Sequence, residues 1–321
     1  MQRGASGENV KDLQRRLAVI DLSIVDDAPG RFGAQTEVAV KEFQQRRGLR
    51  IDGVCGPQTW SALVEAGYRL GDRLLYRRTP MVRGDDVAEL QQRLGALGFD
   101  TRRVDGIFGD DTSLALSDFQ RNVGLTADGI LGRSTVDELY RIQARSQGPE
   151  LVSDVRERET LRQGPRTLQG RRIALGEQGG LGAAVATIAR ALTAAGADVV
   201  DLHHPDGSRQ AADANAVAAE VYLGLLLDPW AGGCSSSFYA GYRYESPGGR
   251  RLAELVQATV PAQLCVPDRG ARGMSLPVLR ETRMPAVLCE LGPSLMLVER
   301  SHDVAGAVRE ALDTWVGATW D

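Results

Sequence analysis

The side chains that could bind a metal or carry protons are few and lie mainly in the C-terminal half of the chain. There are three histidines, His203, His204 and His302, and zinc sites are built from histidine, cysteine and carboxylate ligands. His203 and His204 are adjacent, so their side chains project in different directions and are poorly placed to chelate one ion. We interpret this pair as exposed residues at a strand end and His302 as a helix-cap residue. The pattern predicts no histidine metal site.

Cys289 and Glu290 are neighbours that could act as a nucleophile and an acid–base group. They fall in a predicted strand, so their side chains should point to opposite faces. A catalytic cysteine would need a histidine partner, which the sequence does not indicate. Glu290 has two interpretations, an acid–base glutamate or a polar residue paired with an arginine. The candidate arginines are Arg269, Arg272 and Arg280.

Two further stretches lie near these candidates. The Gly/Ser-rich run Gly232–Ser237 lacks both a nucleophile elbow and a phosphate-loop lysine, and we predict a flexible loop there. The run Asp228-Pro229-Trp230 could form one wall of a cleft, and plain packing of Trp230 is an equal alternative.

The elements that must position these residues alternate between strand and helix from residue 171 onward. Such alternation predicts an α/β domain with a mostly parallel sheet, which we assign to residues 171–321. The predicted strands are Arg172–Leu175, Ala197–Leu202, Val221–Leu227 and Ala286–Leu291. The predicted helices are Leu181–Ala195, Asp213–Ala219, Arg250–Val260 and His302–Val316.

The N-terminal part contains a duplicated phrase. Phe43-Gln44 recurs as Phe119-Gln120, and Asp52-Gly53 recurs as Asp128-Gly129, each after 76 positions. A repeat of this length indicates a duplicated small domain, because solenoid repeats are about 20 to 50 residues long.

Each copy has the apolar spacing of three helices, which predicts two small all-α domains, 1–70 and 77–145. Thr36 and Thr112 are predicted as helix N-caps. Residues 146–170 are polar and contain two Gly-Pro steps, so we predict a linker with a short helix around Ser153–Leu161.

Composition narrows the class of protein. The chain has 321 residues, 43% hydrophobic and 25% charged, with a net charge of −4, so nothing favours nucleic acid or anionic membranes as partners. We expect no secretory signal, because Met1–Ser6 contains no apolar region and no cleavage signature. No apolar run reaches the roughly 18 residues of a membrane span. The four scattered cysteines fit free thiols in a reducing compartment. We therefore expect a cytoplasmic protein.

The repeats resemble the PG_binding_1 type of peptidoglycan-binding domain, through GRFGAQTEVAVKEFQQRRGLRIDGVCGPQTWSAL in the first copy and VDGIFGDDTSLALSDFQRNVGLTADGILGRSTVDEL in the second. The C-terminal domain resembles the zinc-dependent N-acetylmuramoyl-L-alanine amidases of the Amidase_3 type, most strongly over LPVLRETRMPAVLCELG. The combination resembles the CwlM-like group of actinobacterial amidase-like proteins.

The amidase resemblance implies three zinc ligands, His, Glu and His, and a separate acid–base glutamate, which is Glu290 here. It places Gln178, in Gly-Glu-Gln-Gly-Gly, at the first histidine position and Leu226 at the second. Glu177 matches the ligand glutamate if the deletion of the family's loop is placed before it; the alternative alignment leaves that position without a glutamate. A neutral amide is a poor zinc ligand, so we expect no zinc cofactor.

Three hypotheses of function follow from the resemblance. The first is a non-catalytic regulator of peptidoglycan precursor synthesis that binds a precursor or a cytoplasmic enzyme, with the enolpyruvyl transferase MurA as the implied partner. The second is a zinc-dependent N-acetylmuramoyl-L-alanine amidase. The third is a peptidoglycan-binding protein, with a muropeptide as an example of its ligand, whose amidase-like domain is a scaffold.

Overall fold

The computed structural model describes residues 1–143, 152–228, 232–241 and 244–320. Two compact units are present. One comprises Met1–Ser153 with Gly241–Tyr244, and the other comprises Asp154–Ala240 with Glu245–Asp321. The repeats lie in the first unit and the α/β fold in the second. The finer domain limits 1–70, 77–145, 146–170 and 171–321 stay predictions.

Each repeat contains three helices, which the apolar spacing predicts. In α1 the buried face consists of Val10, Leu13 and Leu17, spaced at three and four residues. The first repeat contains α1 (Glu8–Val19), α2 (Ala34–Arg46) and α3 (Pro57–Ala66). The second contains α4 (Asp85–Ala96), α5 (Asp110–Asn122) and α6 (Arg133–Gln143).

A buried glutamine explains the duplicated Phe-Gln and Asp-Gly phrases. Gln44 is 1% exposed, and its Nε2 donates to Asp52 Oδ1 at 2.7 Å and to Thr59 Oγ1 at 3.1 Å. Its Oε1 accepts from the Gly53 N–H at 2.9 Å. Gln120 makes the same set of contacts in the second repeat. The duplicated phrase is therefore a structural device that fastens each turn to a helix.

The predicted threonine caps were wrong. The N-caps of α2 and α5 are Gly33 and Gly109, and Thr36 and Thr112 lie inside the first turns. Their hydroxyls accept from glutamine side chains instead, at 3.1 Å from the partly exposed Gln14 and 3.0 Å from the buried Gln91. At α2 the backbone N–H groups of Gly33 and Thr36 donate to Asp27 Oδ2, at 3.0 and 2.7 Å, so the Asp27 side chain makes the contacts that a capping residue would make.

The second unit contains a six-stranded sheet of order β2-β1-β3-β6-β4-β5. All neighbouring strands are parallel except β4 against β6, so the predicted mostly parallel α/β fold is confirmed. The strands are β1 (Arg172–Glu177), β2 (Asp198–His203), β3 (Val221–Leu227), β4 (Gly233–Tyr239), β5 (Asp268–Met274) and β6 (Ala286–Gly292). The helices are α7 (Val152–Gln163), α8 (Gly182–Ala194), α9 (Gly207–Ala216), α10 (Pro247–Leu264), α11 (Pro277–Glu281), α12 (Ser294–Glu299) and α13 (Ser301–Gly317).

Three local predictions required correction. The run Gly232–Ser237 was predicted as a flexible loop, but β4 occupies most of it and is buried along its length between β6 and β5. Helix α9 begins six residues earlier than the predicted start at residue 213, because Asp206 caps it by accepting from the Ser208 N–H. His302 lies in the first turn of α13, whose N-cap is Arg300.

Helix α7 lies in the predicted linker and packs on the second unit. Leu161 joins the hydrophobic core of that unit, and Glu157 accepts hydrogen bonds at the start of α10. Residues 146–151 of the linker lie outside the described residues. No helix in the described part of the chain has the length and apolarity needed to cross a membrane.

Candidate functional site

The candidate residues gather at the edge of the sheet where the parallel strands β1, β2, β3 and β6 end. Glu177 and His203 are the last residues of β1 and β2 and are aligned in the ladder. Leu226 and Glu290 lie near the ends of β3 and β6 and are aligned in the same way. Ligand sites of open α/β sheets lie at this carboxyl edge.

Glu177 is largely buried and its carboxylate is occupied by hydrogen bonds. Its Oε2 accepts from the backbone N–H groups of Gly179 at 3.0 Å and Leu181 at 3.1 Å. Its Oε1 lies 3.1 Å from Nδ1 of His203. Burial opposes ionisation, but the hydrogen bonds from Leu181, His203 and Gly179 outweigh it, and the pKa of Glu177 lies below its ordinary value. Glu177 is therefore an ionised anchor of the turn after β1.

The side chains of the adjacent residues His203 and His204 make hydrogen bonds with different groups, as expected for neighbours whose side chains project in different directions. The side chain of His203 is 52% exposed, which agrees with the predicted strand-end position. Its contact with Glu177 was not predicted, because 26 residues separate the two and no local pattern links them. His204 Nδ1 accepts from the Asp206 N–H at 3.0 Å. The two rings do not share a binding point.

A buried polar pair lies beneath β1 and fixes the backbone at this edge. Tyr222 Oη donates to Gln210 Oε1, and Gln210 Nε2 donates to the Glu177 carbonyl at 2.8 Å. A Cβ atom at Gly176 would lie 2.0 Å from Tyr222 Oη and 2.2 Å from Gln210 Oε1. Only glycine at position 176 leaves room for this pair.

Glu290 lies between an apolar and a hydroxyl-bearing neighbour. Its ladder partners are Leu226 on β3 and Ser235 on β4, and both Leu226 and Glu290 are partly exposed. The predicted pairing of Glu290 with an arginine stays a prediction. Arg269 lies beside Asp228, with Nη1 and Oδ2 3.9 Å apart.

Cys289 is a buried structural residue on the strand that carries Glu290. Its Sγ lies 3.5 Å from Sγ of Cys234, and both residues are fully buried. The hydrogen bond with Cys234 and burial raise the pKa of the Cys289 thiol well above its ordinary value. A thiol in this state is a poor nucleophile, which agrees with the prediction from the sequence.

The residues at the zinc positions implied by the resemblance do not fit a zinc ion. Leu226 has no donor atom, and the Gln178 amide is a weak ligand that lies near the start of α9, with Nε2 3.7 Å from the Cβ position of Gly207. The Glu177 carboxylate is committed to two backbone N–H groups. Across the described ranges, no group of three His, Cys, Asp or Glu side chains could hold a metal ion. Pro229 and Trp230, the predicted cleft wall, lie outside the described residues.

Comparison of the sequence with known proteins shows the family of the chain. Residues 6–63 and 83–139 match the family described as "Putative peptidoglycan binding domain". The N-acetylmuramoyl-L-alanine amidase CwlM of Mycobacterium tuberculosis is 34% identical over 347 residues, covering 97% of this chain and 85% of that protein. The chain belongs to the CwlM family. It is also similar to the amidase CwlL of Bacillus licheniformis, 33% identical over 160 residues that cover 43% of this chain and 44% of CwlL.

Two solved amidase structures match about half of this chain. The N-acetylmuramyl-L-alanine amidase Ami1 of Mycobacterium smegmatis matches 47% of this chain and 99% of its own, with 16% identity and a TM-score of 0.41. The amidase of Clostridium difficile 630 matches 45% of this chain and 96% of its own, with 18% identity and a TM-score of 0.39.

Proposed function

We propose that this member of the CwlM family is a non-catalytic regulator of peptidoglycan precursor synthesis. The observation that carries the proposal is the apolar side chain of Leu226 beside Glu290 in the sheet. The resemblance assigns a zinc ligand to that position, and a leucine side chain offers no atom that could coordinate a metal.

The chemistry of amide hydrolysis supports this proposal. A zinc amidase uses the metal to polarise the carbonyl and to lower the pKa of the attacking water. Glu290 acting alone as a base would leave the carbonyl unpolarised, at a cost of several kcal/mol in transition-state stabilisation. Gln178 and the committed carboxylate of Glu177 do not replace the missing ligand.

The binding role rests on the two peptidoglycan-binding repeats, which favour a muropeptide or a peptidoglycan precursor as ligand. Within this proposal the protein is cytoplasmic, and its protein partner is an enzyme of precursor synthesis, with MurA implied by the resemblance. A pull-down of purified enolpyruvyl transferase with the full chain tests the partner. If the transferase does not bind in the presence or absence of precursor, the partner assignment is wrong.

The competing function is a zinc-dependent N-acetylmuramoyl-L-alanine amidase, which the names of the relatives CwlM and CwlL favour. Incubation of the chain with peptidoglycan and added zinc, followed by measurement of released stem peptide, separates the two functions. The proposal predicts no release under conditions where a related active amidase releases peptide. Zinc-dependent release by the purified chain would establish the amidase instead.

A further inference from the structure

A cavity lies at the edge of the sheet opposite to Glu290. It adjoins the first turn of α10. That turn packs closely on the amino end of β6, since a Cβ atom at Gly249 would lie 3.1 Å from the Ala286 carbonyl oxygen. Glu290 lies four residues further along β6, about 13 Å at the rise of a strand. The cavity is therefore separate from the candidate site described above.

The cavity has a volume of about 530 Å³ and is bordered by α7, α10, α13 and the residues after α13. Its lining includes Arg158, Arg251 and Trp320, and no carboxylate among the described residues. The volume lies within the range of small-molecule sites. The two arginines make the lining positively charged, and Trp320 forms an aromatic wall.

Helix α7 is fixed in a position that brings Arg158 to the cavity. The neighbouring Glu157 accepts from Ser246 Oγ at 2.6 Å and from the Gly248 N–H at 3.0 Å. A carboxylate at this position is stabilised by the N-terminus of α10. The ordering of α7 therefore does not depend on a ligand.

The two guanidinium groups are available to an anion. Arg158 makes no hydrogen bond or ion pair with the described part of the chain. Arg251 lies 4.0 Å from Glu254, a carboxylate that is also bound by Arg250 at 3.0 Å. An adjoining cavity of about 260 Å³ shares Arg158 and Arg251 but includes Glu245 and Glu254, so an anion should prefer the larger one.

The aromatic wall is also held in place. The Trp315 Nε1–H donates to the Gly248 carbonyl at 3.0 Å, and Trp315 is buried. The ring of Trp320 packs edge-on against Trp315, with centroids 5.9 Å apart. Trp320 is partly exposed and lines the cavity, so it can present ring surface to a ligand.

We propose that this cavity binds a phosphate-bearing ligand with a planar ring, the chemistry of a mononucleotide. Arginine forks bind phosphate oxygens in pairs, and aromatic side chains pack favourably on planar rings. Arg158 and Arg251 bind the phosphate, and Trp320 contacts the ring. The site shares no residue with the implied zinc positions and does not depend on the regulatory function proposed above.

Calorimetric titration of the full chain with adenosine 5′-monophosphate (AMP) tests the proposal. Adenosine and inorganic phosphate are the reference ligands, since each lacks one half of the recognised chemistry. We expect AMP to bind more tightly than either. The Arg158→Ala, Arg251→Ala double variant should weaken AMP binding by about tenfold or more, since each charge-assisted hydrogen bond contributes at least a factor of about ten. Trp320→Leu should weaken binding of AMP but not of phosphate.

The matched control is Arg309→Ala, an exposed arginine on α13 outside the cavity, which should bind AMP as the unaltered chain does. The Arg158→Lys, Arg251→Lys double variant retains both charges and is the second test if the alanine variant does not fold. It should still weaken AMP binding, because lysine lacks the paired donors of a guanidinium group. No AMP binding at millimolar concentration would overturn the proposal. Equal binding of AMP by the unaltered chain and both double variants, or equal binding of AMP and adenosine, would also overturn it.

Discussion

Leu226 and Glu290 are partners in the parallel ladder between β3 and β6. Neighbouring strands lie about 4.8 Å apart, so a side chain at position 226 is adjacent to the one at 290. Leu226 is partly exposed, and a polar residue there would not have to be buried. This pair is the basis of the first prediction.

Introducing histidine at both degenerate positions, Gln178→His with Leu226→His, should create zinc affinity. The reason is that two imidazoles would then flank the edge that carries Glu177 and Glu290. Metal analysis of the dialysed double variant is expected to give clearly more zinc per chain than the unaltered chain retains. The control is the single variant Leu226→His, which adds only one imidazole and should retain less zinc than the double variant. Equal zinc in the unaltered chain and the double variant would contradict the assignment of the two positions.

The duplicated Phe-Gln motif predicts that the buried glutamine stabilises its repeat. Alanine substitutions at the buried Gln44 and the exposed Gln45 test this. Gln44→Ala removes five hydrogen bonds that join α2 to the following turn and to Thr59 and should destabilise the first repeat by about 2–3 kcal/mol. Gln45→Ala, at the exposed neighbouring position, should be close to neutral. Thermal unfolding of the full chain measures both. Similar melting temperatures for the two variants would show that the buried network is not needed.

Gly176 and Gly182 give opposite predictions for the same substitution. A methyl group at Gly176 would overlap Tyr222 Oη, so Gly176→Ala should destabilise the α/β unit by about 3 kcal/mol. Gly182 opens α8 with no atom within 4 Å of its Cβ position, so Gly182→Ala should be neutral or stabilise by up to about 1 kcal/mol. Urea unfolding compares them. A Gly176→Ala chain as stable as the parent would disprove the packing argument.

The lowered pKa of Glu177 gives a pH dependence with a defined sign. Its ionised form is favoured in the folded state, so its contribution is present above the ordinary pKa of 4.5 and is lost as the pH falls through the lower folded value. Glu177→Gln should therefore cost about 1 kcal/mol or more at pH 7, and the deficit should shrink as the pH falls below about 4.5. Exposed Glu299→Gln is the control. A deficit that grows with acidity would reverse the sign and reject the account.

Thiol reactivity tests the burial of the cysteines. Cys55, Cys234 and Cys289 are buried and Cys265 is exposed, and burial raises the pKa of Cys55 to about 11. At pH 8 the folded chain should react rapidly with Ellman's reagent at Cys265 alone, and Cys265→Ser should abolish that phase. Fast reaction of the Cys265→Ser chain would mean that another thiol is accessible.

Much of the fold could be predicted because its signals are local. Strand β3 occupies the predicted residues, since an apolar run as short as Val221–Leu227 is typical of a buried strand. The three-helix repeats follow from apolar spacing in the same way. Strand β4 was missed because its Ser235, Ser236 and Ser237 resemble a loop, and only the neighbouring strands β5 and β6 explain their burial.

The candidate site was less accessible to sequence reasoning, because its contacts join distant segments. The contact of His203 with Glu177 depends on the β1–β2 register, and the position of Leu226 beside Glu290 depends on the pairing of β3 with β6. The cavity with Arg158 and Arg251 depends on α7 packing against α10, whereas the sequence predicts a short helix within a linker there but not what the helix contacts. Tertiary pairing, which has no local pattern, decides all three.

The most direct test of the central claim is zinc analysis of the purified full chain after equilibration with zinc and dialysis, combined with a muropeptide hydrolysis assay. The account predicts far less than one zinc per chain and no released stem peptide, while a related active amidase in parallel binds zinc and releases peptide. Near-stoichiometric zinc together with hydrolysis would contradict the account and establish an active amidase.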